Sequence, residues 1–111
     1  MSFYTVSLLL KSTHSPPSKD EALWEERIIL ITAETEEQAR QKGRNLGENA
    51  ELEYSVGGQV GTNSDVVRWT FVQVERVCHV DSDDLSDGTE LFSRFLRDSE
   101  VKSLLTPFDD K

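Results

Sequence analysis

One cysteine in 111 residues, Cys78, cannot close an internal disulfide, so nothing in the chain asks for an oxidising compartment. Long apolar runs are missing too. No stretch approaches the ~20 residues that a membrane-spanning helix needs. The opening Met1 to Leu10 has no basic segment ahead of its apolar residues, because the first base, Lys11, follows them. No secretory signal is read there, and the expectation is a cytoplasmic protein that makes no membrane contact. Bases are scarce: 12 Lys and Arg stand against 21 Asp and Glu, a net charge of −9. That balance excludes a nucleic-acid binder working by broad phosphate neutralisation, which needs a basic face. It also argues against binding to anionic membranes.

What is present reads as one domain spanning 1–111, since the length suits one core and no internal repeat or long linker appears. Loops are expected over 13–21, where Pro16 and Pro17 sit among small polar residues, and over 57–65, which holds Gly57, Gly58 and Gly61. A flexible tail is expected from about 106 to 111. Residues 3–12 alternate, with Tyr4, Val6, Leu8 and Leu10 on one face and Thr5, Ser7 and Lys11 on the other, the period of a half-buried strand. Residues 22–33 form a second strand whose later half, Ile28 to Ile31, is apolar on both faces. Strands covered on both faces are central ones, which places this one inside the sheet.

Thr35 followed by Glu36, Glu37 and Gln38 is a capping box ahead of a helix over 36–48. Ala39, Gly43, Leu46 and Ala50 form a narrow stripe of mostly small residues. Gly43 costs ~1 kcal/mol relative to alanine in a helix interior, a cost that close approach to the sheet would offset, and Gly47 reads as the C-terminal stop. A short strand at 51–56 and a strong one at 66–80 follow. In the latter the apolar phase shifts midway: Val67, Trp69 and Phe71 share one face, and Val72, Val74, Cys78 and Val80 the other. Either a bulge lies near Phe71 or both faces are covered at different points. After an acidic turn at 81–88, residues 89–96 fit a returning strand or a helix, and the strand is preferred. Glu100 to Leu105 can make one helical turn before Pro107. The expectation is an α+β fold, β-β-α-β-β-β, with a mostly antiparallel sheet of four to five strands and one long helix on one face.

Standard catalytic and cofactor motifs are not found, and no cofactor or metal is assigned. Gly57-Gly58-x-x-Gly61 lacks the Lys-Ser/Thr ending of a phosphate loop and no helix follows it. Cys78 and His79 are neighbours on a strand, so they point to opposite faces and cannot share an ion. A calcium loop starting at Asp83 would place Leu85 and Arg94 at ligand positions. His14 and His79 sit in no triad-like setting. The polar residues that stand out are those embedded in apolar strands. Trp24, Glu26, Arg68, Trp69, Glu90 and Arg94 are the candidate binding residues, lining a groove. In the structural reading the charged ones, with Glu25, form cross-strand pairs worth ~0.2–1 kcal/mol each. Glu26 is expected to pair with Arg68 or Arg94.

Five phrases taken in order, Tyr4-Thr-Val-Ser-Leu-Leu9, Leu23-Trp-Glu-Glu26, Ala33-Glu-Thr-Glu-Glu-Gln-Ala39, Val67-Arg-Trp-Thr-Phe-Val72 and Asp87-Gly-Thr-Glu-Leu-Phe-Ser-Arg94, resemble a small bacterial family, domain of unknown function 4288. The resemblance covers roughly residues 4–96 and leaves out the 57–65 loop and the tail after Arg97. It implies a bacterial, stand-alone cytoplasmic protein and transfers no activity, cofactor or site. On its own residues the chain reads first as a small acidic, non-enzymatic binding or regulatory module with a protein partner. A basic partner surface is favoured, in the manner of an immunity protein covering a toxin's basic site. The alternative is a small enzyme using strand-borne carboxylates and an arginine anion clamp. A homodimer is also expected, because one helix covers one sheet face while strands 22–33 and 66–80 carry apolar residues on both.

Overall fold

The structure, a computed structural model, describes residues 1–17, 21–56 and 65–106. Residues 57–64 of the expected loop at 57–65, 18–20 of the loop at 13–21 and 107–111 of the tail lie outside them. Four strands and two helices run in the order β1 (Ser2–Ser15), β2 (Trp24–Ala33), α1 (Glu36–Asn49), β3 (Leu52–Val56), β4 (Asp65–Val80) and α2 (Asp98–Leu105). The strands form one antiparallel sheet in the order β2-β1-β4-β3. The fold is α+β as expected, with four strands and with helices of 14 and 8 residues in place of one long helix. Among the described residues no helix is long and apolar enough to cross a membrane.

The core sits between the sheet and α1. Tyr4, Val6, Leu8 and Leu10, the expected inner face of β1, are all buried, joined by Ile31, Ala33 and Ala39. The start of α1 follows its capping pattern: Thr35 Oγ1 accepts the Gln38 amide at 3.1 Å, and Gln38 Oε1 accepts the Glu34 amide at 2.6 Å. The buried stripe is Ala39, Gly43 and Gly47, while Leu46 is exposed. Gly47 is not the stop; the helix passes through it to Asn49 and ends on Ala50 in a right-handed conformation. Both glycines serve close approach. A Cβ on Gly43 would stand 2.6 Å from Val6 Cγ1, and one on Gly47 would stand 2.5 Å from Phe71 Cε1.

Three further expectations are corrected. β2 is an edge strand, not a central one, because β1 pairs with β2 on one side and with β4 on the other. Apolar content on both faces therefore did not mark a central position here. Residues 89–96 form neither strand nor helix. They run irregularly beneath the face opposite α1, where Thr5 Oγ1 donates to the Leu91 carbonyl at 2.6 Å, Arg76 donates to the Ser93 carbonyl at 3.4 Å and its guanidinium lies 5.2 Å from the Phe92 ring centre. That cover explains why Thr5 and Ser7, on the more polar face of β1, are also buried. The strand β1 itself runs to Ser15, past the point where the loop was expected to begin.

The phase shift in β4 has a physical cause. The register with β1 slips twice, so that Val72 and Glu75 are extra residues relative to the partner strand. Each bulge turns the alternation over. Phe71, Val74 and Val77 consequently all lie against the core, and Cys78 and Val80 face the other way.

Candidate functional site

The groove on the sheet comes from a mismatch of lengths. A strand of 14 residues such as β1 extends ~48 Å at ~3.4 Å per residue, whereas the 14 residues of α1 extend ~21 Å at 1.5 Å each. α1 lies over the part of the sheet that carries Val6 and Phe71, so the far part of the same face is left open. There the chain forms a groove of about 630 Å³ lined by Leu10, Trp24, Glu25, Arg27, Tyr54 and Trp69 with four neighbours, Leu23, Glu26, Ala50 and Leu52.

Each wall has a local reason. Leu10, 1% exposed, is the floor. Leu23 is held over it by Ser12, whose backbone amide donates to the Leu23 carbonyl at 2.9 Å and whose Oγ accepts the Leu23 amide at 3.1 Å. Trp69 on β4 stands opposite Leu52 on β3, and Tyr54 lies two residues further along the same face. Trp69 Nε1 donates to Tyr54 Oη at 3.3 Å, which ties the two rings together. The Glu51 carboxylate accepts the Phe71 amide at 3.0 Å, closing the end of the β3–β4 ladder beside the groove. On the β2 side, Arg27 pairs with Glu25 at 3.0 Å. Trp24 borders the groove at the strand's start while its ring lies on the other face of the sheet, 5.3 Å from the Lys11 ammonium.

The six sequence candidates separate into different places. Trp24, Glu26 and Trp69 all border the groove, but only Trp69 shares the face of Leu10; Trp24 and Glu26 stand against Lys11 and Leu9 in register, so their side chains lie on the opposite face of the sheet. Arg68, the neighbour of Trp69 on the strand, faces the other way and pairs with Glu53, its partner across the β3–β4 register, at 2.8 Å. Glu90 belongs to a shallow acidic depression of about 360 Å³ with His79, Asp81 and Asp87. Arg94 is exposed in the irregular segment. The pairing expected for Glu26 does not form: among the described residues Glu26 has no ion pair. The cause is topological. β1 separates β2 from β4, and in register Glu26 stands against Leu9 while Arg68 stands against Thr13. No strand at 89–96 brings Arg94 back along β4. Sequence reasoning missed Tyr54, Leu52 and the Glu25–Arg27 pair. The signal for the first two was the alternation of Leu52 and Tyr54 in the short third strand.

In chemical terms the groove has an aromatic and aliphatic interior with one internally neutralised ion pair at its side. It can receive an apolar or aromatic side chain and hydrogen-bond its neighbours. Among the described residues no group of three His, Cys, Asp or Glu is placed to hold a metal ion.

The family model described as Domain of unknown function (DUF4288) matches residues 3–93, four-fifths of the chain, and the chain belongs to that family. The matched span holds the four strands, except for Ser2 at the start of β1, together with α1 and the whole groove, and leaves out α2. No curated protein and no solved structure matches the chain.

Proposed function

We propose that this member of the 4288 family is a non-enzymatic binding module of the cytoplasm. Its groove takes an apolar or aromatic anchor from a protein partner with a basic surface. The observation that supports this is a pair of large amphipathic rings on the open part of one sheet face: Tyr54 is 40% exposed, and Trp69 is hydrogen-bonded to its hydroxyl. Tyrosine and tryptophan in such positions dominate protein interfaces, since they supply area at little entropic cost. The net charge of −9 steers a basic partner towards that anchor site. Coverage of a toxin's basic site, as an immunity protein does, is one form of this reading. The enzymatic alternative draws less support, because the two arginines that would clamp an anion do not converge: Arg68 is paired with Glu53, and Arg94 lies in the irregular segment.

The test is affinity capture from the native host with the wild-type chain, Tyr54→Ala and Arg68→Ala, each first shown by circular dichroism to be folded. A basic partner is expected with the wild type and with Arg68→Ala, lost with Tyr54→Ala, and released as salt rises. Capture unaffected by Tyr54→Ala, or a partner that is not basic, would overturn the proposal.

A further inference from the structure

Strand β2 is an edge strand with the composition of a central one. Ile29 and Ile31 face the core side, while Ile28 and Leu30 are each 47% exposed on the opposite face. The backbone directions follow from the ladder. The Ser12 amide donates to the Leu23 carbonyl, so the even-numbered residues of β1 bond towards β2, and the odd-numbered residues of β2 bond back. In an antiparallel sheet both polar groups of a residue point to the same side. Residues 26, 28, 30 and 32 of β2 therefore aim theirs at the free edge. At one end this is visible directly, because the Thr32 carbonyl accepts from the Lys42 ammonium at 2.7 Å. At the other end the charged run Glu25, Glu26, Arg27 guards the strand. Between these ends, Ile28 to Ile31 has none of the devices that protect an edge: no charge, no proline and no bulge, since both bulges lie in β4.

A second feature lies at the same edge. Leu46 on α1, 48% exposed, borders a notch of about 380 Å³ with Leu30, Ile31, Lys42 and Asn45. The notch is open on the side where a further strand would add.

We propose that a second copy of this chain occupies the edge. Two β2 strands pair antiparallel about a two-fold axis at Ile29, turning the four-stranded sheet into one of eight strands with β2 at its centre. The segment is complementary to itself in this register. Ile28 of each copy meets Leu30 of the other, Ile29 meets Ile29, Arg27 meets Ile31 and Glu26 meets Thr32, so no like charges stand opposite each other. Centring the pair on Arg27 or Glu26 instead would set arginine against arginine or glutamate against glutamate, which is destabilising. The outward groups of Ile28 and Leu30 gain partners from the other copy, and the ladder stops where Lys42 already holds Thr32. A two-fold axis normal to the sheet keeps both α1 helices on the same side, so each notch beside Leu46 is walled by the other copy's β2. The strand is thereby covered as its composition demands. Self-association brings together two chains of −9 each, so it strengthens with ionic strength, whereas binding of a basic partner weakens.

The test measures mass in solution by sedimentation equilibrium of the full chain over three decades of concentration up to about 1 mM, since an interface this small belongs at the weak end of the affinity scale. The mass is expected to rise from 12.6 kDa towards twice that value, and to do so at lower protein concentration in high salt. Ile28→Lys, at an exposed position, is expected to remain folded and to be monomeric throughout. In a Cys78→Ser background, Ile29→Cys is expected to form a disulfide-linked dimer on air oxidation, because facing residues of a non-hydrogen-bonded pair come within cystine reach. A wild-type mass that stays at one copy at every salt concentration would overturn the proposal. So would a folded Ile28→Lys variant that still dimerises, or an Ile29→Cys variant that stays monomeric under oxidation. Tyr54 lies on β3, at the other edge of the sheet, and Tyr54→Ala is expected to leave dimerisation unchanged.

Discussion

Replacing Gly43 by alanine sets two known effects against each other. Alanine is the better helix former, and on propensity alone the substitution stabilises by about 1 kcal/mol. The structure reverses the sign. The added Cβ would lie 2.6 Å from Val6 Cγ1 and 3.3 Å from Val6 Cβ. Val6 has little room to give way: it is 0% exposed, it sits on β1 between β2 and β4, and its branched side chain is restricted at χ1. The helix must lift from the sheet, and overpacking of this kind costs about 1–3 kcal/mol. The net expectation is destabilisation of about 1 kcal/mol, read as a drop of about 4 °C in Tm for a domain of this size.

A double-mutant cycle with Val6→Ala isolates the contact. Val6→Ala alone removes two buried methyl groups and is expected to cost about 2 kcal/mol or more. In the double variant the new methyl on residue 43 occupies part of the vacated space. Its total cost is expected to fall below the sum of the two by about 1 kcal/mol, within the range for residues in contact. Urea denaturation with a common slope is the assay. A Gly43→Ala variant more stable than the wild type by the full propensity gain would refute the close approach. Costs that simply add would refute its assignment to Val6.

Two other substitutions test particular bonds. Ser7, 1% exposed at the middle of β1, has a hydroxyl with no hydrogen-bond partner among the described residues, so Ser7→Ala is expected to stabilise the fold by about 1 kcal/mol through removal of an unpaired buried polar group; a loss of stability in urea denaturation would show that the hydroxyl is bonded after all. Thr35→Ala removes the acceptor of the Gln38 amide and is expected to cost about 1 kcal/mol, whereas Thr35→Asp is expected to retain most of it; equal melting temperatures for Thr35→Ala and the wild type would show that the cap contributes nothing.

Local signals in the sequence were enough for the elements that carry their own instructions. The alternation from Tyr4 to Leu10 marked the inner face of β1, and Thr35 with Gln38 marked the start of α1, because period and capping depend only on near neighbours along the chain. Trp24, Glu26 and Trp69 stood out as candidates for the same reason, since charge or aromatic rings inside apolar strands are visible in one dimension. Tertiary structure decided what those residues face. The insertion of β1 between β2 and β4 sent Arg68 to Glu53 and kept Glu26 apart from it, and it made an edge of a strand whose composition suggested the interior. The two bulges of β4 decided which apolar residues reach the core, and a bulge is a property of the register between strands, not of either strand alone. The groove exists because a helix of 14 residues is less than half as long as a strand of 14. That difference follows from backbone geometry, but where the bare sheet lay could be fixed only once Gly43 had met Val6 and Gly47 had met Phe71.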